Sequence, residues 1–179
     1  GNYPSLPSKI LATYEPSLPS TQNAESMAAT AGDFLASLTP NLKEQASLPF
    51  DSAEKEIWTN TPPRGPQGGV RLGDLDTNQL EKACDLLAAV WSQQGYFKAK
   101  NIPLADDELL DNGRRRPGFG AEDYWIAIFG TPSPTEPWAL QFDGHHLAIN
   151  LAFHGEKISM SPTFIGTQPR GFDLGEELI

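Results

Sequence analysis

His145, His146 and His154 are the only three histidines of this 179-residue chain, and they fall in one segment, "WALQFDGHHLAINLAFHGEKISMSPTF", residues 138–164. Imidazole titrates near neutral pH, so it serves as general base, proton donor or metal ligand. The adjacent pair His145-His146 has three readings: a structural pair, a catalytic or substrate-binding pair, and ligands of a divalent metal. Each of the last two needs partners. Asp143, Asn150, Ser161 and Thr163 are the polar residues close by in sequence, and Asn150 and Ser161 are candidates for substrate binding. Arg64, set among prolines and glycines, is suited to hold a substrate carboxylate through a two-pronged hydrogen bond, against a structural ion pair as the plainer role.

The strands around these residues limit which of them work together. A turn at Gly155-Glu156 suits a two-residue hairpin with glycine first. The register that follows pairs Phe153 with Ile158, Leu151 with Met160, Ile149 with Pro162 and Leu147 with Phe164. Apolar residues then share one face and small polar residues the other, which a slip of one residue would scramble. Pro162 marks the returning strand as an edge or as bulged. His154 sits at the turn, eight residues from His146, or about 26 Å at ~3.3 Å per residue. The three histidines therefore do not form one three-ligand site. His145 and His146, read as neighbours on one strand, start on opposite faces, with Gly144 as a bulge that re-aims one of them.

Other clusters have plain explanations. Asp106-Asp107-Glu108 resembles a carboxylate site, yet acidic residues at a helix start suit the macrodipole. Arg114-Arg115-Arg116 reads as an anion site, a processing site or a solvated loop. Cys84 lies on an apolar helical stripe and reads as a buried, inert thiol. There is no glycine-rich phosphate loop, no G-x-S-x-G elbow and no H-E-x-x-H helix.

Four prolines within residues 1–21 suggest an extended arm. Residues 22–179 read as a single domain. A helix is expected over 24–37, and Thr39-Pro40 caps and opens a short one. The strongest helix runs over 77–94, where Leu80, Ala83, Cys84, Leu87, Ala88 and Trp91 form one stripe. Gly95 bends it, and Pro103 opens a further short helix through Leu110. After Gly120 the apolar period changes from 3.6 to 2. The fold class is α+β: a helical N-terminal half packed on an antiparallel β-meander, with the helix of 77–94 over the face of Leu147, Ile149, Leu151 and Phe153.

Thirteen Lys plus Arg against 23 Asp plus Glu give a formal net charge of −10, which argues against nucleic acid or an anionic membrane as partner. No apolar run approaches the ~20 residues of a bilayer span. One cysteine excludes an internal disulfide and leaves the compartment open.

The histidine segment resembles the DUF3500 family. Trp138, Phe142, Gly144, His145, His146 and Leu147 match its W…F-x-G-H-H-L run. Pro162, Thr163, Phe164, Gly166 and Pro169 match its P-T-F-x-G-x-x-P run. "IWTNTPPRGPQGGVRLGDL", Gly95-Tyr96 and "YWIAIFGTP" fit as well. The resemblance brings no activity with it; it implies that Gly144-His145-His146 is a focus of the domain. Family members continue past the equivalent of Pro169, so a C-terminal part carried elsewhere is an expected partner. Two functions follow: an enzyme on a small organic substrate, with His145 or His146 as base or metal ligand, and a binding module that docks a second polypeptide.

Overall fold

A computed structural model describes residues 5–18, 20–63, 65–110 and 116–169. Among these residues five α-helices precede the main strands, with short strands between them. They are α1 (Leu6–Thr13), α2 (Ala24–Ser37), α3 (Pro40–Ala46), β1 (Ser47–Leu48), β2 (Val70–Arg71), α4 (Thr77–Val90) and α5 (Gln93–Asp106). A meander follows: β3 (Tyr124–Phe129), β4 (Trp138–Gly144), β5 (Leu147–His154) and β6 (Lys157–Ile165). The fold is α+β, with helices mostly N-terminal and strands mostly C-terminal.

The helix starts are written in short polar signals. Asn23 and Ser26 form a capping box at α2, and Asp76 and Gln79 form one at α4, each satisfying backbone N–H groups that the first turn leaves unpaired. Thr39 caps α3 with Pro40 in its first turn, as the sequence predicts. The expected extended arm is different: Ser5 caps α1, and its Ile10 and Leu11 are buried in the core. Early proline is compatible with a helix start, because its missing N–H is one the first turn does not use. The break expected at Gly95 and the helix start at Pro103 are also corrected. Ser92 caps α5, Gly95 lies in its first turn, and Pro103 is inside a single helix.

The sheet order is β1-β3-β4-β5-β6, with β2 on the same edge of β3 as β1. β1 runs parallel to β3, and the remaining pairs are antiparallel. The inner face, carrying Ile126, Ile128, Leu140, Phe142, Leu147, Ile149, Leu151 and Phe153, shares one core with α2 and α4. Each such side chain contributes roughly 1.5–3 kcal/mol of transfer free energy before chain entropy. On the outer face, Phe129 packs with Ala127, Ala139 and Leu48.

Gly155 has φ +59, as a turn with glycine first requires. The predicted hairpin register holds for Phe153↔Ile158 and Leu151↔Met160. It then shifts by one residue, to Ile149↔Thr163 and Leu147↔Ile165. The bulge falls at Ser161-Pro162, where Asn150 Nδ2 donates to Pro162 O at 2.9 Å. Beyond it Thr163 and Ile165 replace Pro162 and Phe164 on the core-facing side, so the sorting of faces read from the sequence fails for half of β6. All nine residues of β6 are exposed, including Ile158, Met160, Phe164 and Ile165.

Candidate functional site

His145 and His146 are not strand neighbours. They are the two turn residues between β4 and β5, since Gly144↔Leu147 is the last pair of that hairpin. His146 has φ +64, and it is the only described non-glycine residue with positive φ. The turn is held from several sides. The His146 N–H donates to Asn60 O at 2.9 Å, and the Gly166 N–H donates to His146 O at 2.7 Å. Tyr124, fully buried, donates its hydroxyl to His145 O at 2.5 Å. Its ring lies against Gly144: a Cβ there would sit 2.5 Å from Tyr124 Cδ1. The glycine of the G-H-H run is thus a place for a tyrosine ring, and the bulge expected at Gly144 occurs instead in β6.

The turn brings the two imidazoles onto one side, stacked with centroids 3.9 Å apart and planes at 28°. His145 is buried. Its Nδ1 lies 2.6 Å from Asp106 Oδ1, at the C-terminal end of α5. Asp106 Oδ2 accepts the Gly120 N–H at 2.7 Å. A carboxylate oxygen facing a ring nitrogen is met by an N–H, so Nδ1 carries the proton of this contact. In the neutral ring Nε2 then carries the lone pair, and it has no hydrogen-bond partner among the described residues. Burial pushes the Asp106 carboxyl above its ordinary range, opposed by the bonds from His145 and Gly120. Its place at the negative end of the α5 dipole acts in the same direction as burial. Phe119 meets the His145 ring edge-on, with centroids 4.9 Å apart at 70°. His146 Nε2 lies 3.2 Å from the side-chain amide of Gln168, within hydrogen-bond reach of Oε1.

Two further acids are shifted upward by burial. Asp107, pushed up to about 6 chiefly by burial, accepts the Ser8 hydroxyl and the Ala121 N–H. Asp143, at the end of β4, is pushed up to about 7 by burial and accepts the Thr59 N–H at 2.7 Å.

The other residues singled out by sequence lie elsewhere. Asn150 and Ser161 line a cleft of about 230 Å3 with Lys55, Gln141 and Pro162, and neither His145 nor His146 is part of its lining. Arg64 lies outside the described residues, as do Arg114 and Arg115. His154 is exposed at the far end of β5. Cys84 is buried, and burial raises its thiol to about 11, which fits the inert reading. No group of three or more His, Cys, Asp or Glu among the described residues could hold a metal ion. Sequence reasoning missed Asp106 by assigning its cluster to a helix start.

Residues 20–177 match the family described as "Protein of unknown function (DUF3500)". The chain belongs to the DUF3500 family. No curated protein and no solved structure matches it. In this DUF3500 domain the histidine pair of the family-like run therefore has a defined setting, a two-residue turn whose first ring is tied to a buried carboxylate. No helix among the described residues of the domain is long and apolar enough to cross a membrane.

Proposed function

We propose that this DUF3500 domain is an enzyme acting on a small organic substrate, with His145 as general base and Asp106 as the group that orients it. The carrying observation is the buried 2.6 Å contact between His145 Nδ1 and Asp106 Oδ1. A carboxylate on Nδ1 fixes the ring and its tautomer, leaves Nε2 to accept a proton from substrate or water, and stabilises the imidazolium that results. His146 stacks on the same ring, with its Nε2 engaged by Gln168, and so packs the base in place. Turnover of a panel of small hydroxy acids, esters and lactones by wild type and His145→Gln tests the reading. A general base contributes about 10^2–10^4-fold, so the variant should lose at least the lower figure while keeping its circular dichroism. Turnover that survives in a folded His145→Gln protein overturns it.

A second reading, a module that docks another polypeptide, is favoured by β6, an exposed edge strand with four large apolar side chains. Natural edge strands are usually short, charged or covered. Within the N-terminal Pro-rich segment, α1 is packed into the core through Ile10 and Leu11. Intact-mass and co-purification measurements decide this reading: a lone monomer with full stability counts against it.

A further inference from the structure

We infer that the substrate of the dyad carries a carboxylate or similar small anion, and that Arg116 holds it. The inference rests on the reading of His145 as base and adds the substrate class. Arg116 places its guanidinium carbon 3.9 Å above the Phe119 ring, and Phe119 in turn meets the His145 ring at 4.9 Å. The cation is therefore no farther from the imidazole than those two spacings laid end to end. Stacking on an aromatic face restrains a guanidinium while leaving its five N–H donors unused, which is the state needed for two-pronged binding of a planar anion.

Arg116 has no carboxylate partner among the described residues, in a chain where acids outnumber bases 23 to 13. The neighbouring acids are engaged by other groups. Asp106 serves His145 and Gly120, and Asp107 serves Ser8 and Ala121. Asp123 accepts from Arg71 Nε and the Gly118 N–H, both at 2.6 Å. Arg71 differs from Arg116 in this respect: it meets Asp74, Glu122 and Asp123 together.

The platform beneath Arg116 is fixed. Backbone N–H groups of Gly118, Gly120 and Ala121 each donate to a side-chain carboxylate, and the Phe119 N–H closes a turn onto Arg116 O. One of those carboxylates is Asp106, the partner of His145. The same side chain thus sets the position of the base and of the loop that carries the cation, which fixes their spacing before any ligand arrives.

Only three imidazoles contribute to the spectrum, so NMR can follow each. Signals are assigned with His145→Gln and His146→Gln, and wild type is titrated with acetate and with malonate against chloride at matched ionic strength. A saturable shift at His145 and His146 with the carboxylates, absent with chloride, is expected. Affinity should fall about tenfold or more in Arg116→Gln, the loss of a charge-assisted pair. Arg116 is exposed, and unchanged thermal unfolding of the variant shows that its fold is kept. No saturable shift in wild type, or equal affinity in Arg116→Gln, overturns the inference. Failure of the base reading is separately visible in the same spectra, as a proton on Nε2 of His145 instead of Nδ1.

Discussion

Replacing Asp106 by asparagine tests the dyad more sharply than removing it. The two oxygens of Asp106 each receive one N–H, Oδ1 from His145 and Oδ2 from Gly120. Asparagine has one acceptor oxygen and one NH2. The Gly120 N–H is a fixed donor, so the asparagine oxygen must face it, and Nδ2 then faces His145 Nδ1. Two donors cannot meet, so the imidazole must move its proton to Nε2 and accept at Nδ1. The lone pair required of a base leaves Nε2 without any change of shape. In energy, a hydrogen bond to a charged group, roughly 1.5–3 kcal/mol, is exchanged for a neutral one of roughly 0.5–1.5 kcal/mol. Relief of a buried charge offsets part of the difference, so Asp106→Asn should cost about 1 kcal/mol of stability. Imidazole 15N shifts distinguish protonated from unprotonated ring nitrogens, and urea unfolding measures the stability. Wild type should show Nδ1–H and the variant Nε2–H at His145. The same tautomer in both proteins, or Nε2–H in wild type, would mean that Asp106 does not set the proton on His145.

Asp143 should make the fold less stable as pH rises. Its folded value near 7 lies above an unfolded reference of ~3.9, so its contribution is full below pH ~4 and is lost on the way up to about 7. About three units at 1.36 kcal/mol each set an upper bound of ~4 kcal/mol, and Asp143→Asn, which keeps an acceptor for the Thr59 N–H, should gain far more stability at pH 8 than at pH 5. Equal gains in urea unfolding at the two pH values would show that Asp143 is not held neutral. Gly144→Ala would press a methyl group into the buried Tyr124 ring and should cost about 1–3 kcal/mol; wild-type stability in a thermal melt would mean that the ring has room to move.

What the sequence revealed was local, and what it concealed was tertiary. The α4 stripe, the Thr39-Pro40 start and the glycine-first turn at Gly155 each follow from residues within a few positions, and each is present. Asp106 and His145 are 39 residues apart, and nothing in either neighbourhood names the other. The turn at His145-His146 did leave a trace. Inner-face residues of β4 are even-numbered, Leu140 and Phe142, while those of β5 are odd-numbered, Leu147 and Ile149. Only a reversal or an inserted residue changes parity in this way. Asp143-Gly144 stands one step before the turn and not in it, and two histidines are no usual turn pair, so the segment reads as one long strand. In β6 the trace is blurred, because Phe164 and Ile165 are both apolar and either could be assigned to the inner face. Pro162 alone pointed to the bulge. The acids at 106–108 were misassigned because proline near a helix start is commoner than proline inside one.

His146 has a backbone shape that glycine adopts freely and an L side chain adopts at a cost of order 1–3 kcal/mol. A loop required only to reverse the chain would be sturdier with glycine in that place. The penalty is carried continuously, in every folded molecule, for the sake of one aromatic ring lying over another. His146→Gly should therefore yield a protein that is harder to unfold and poorer at its work, and the gap between those two effects would gauge what that ring is worth.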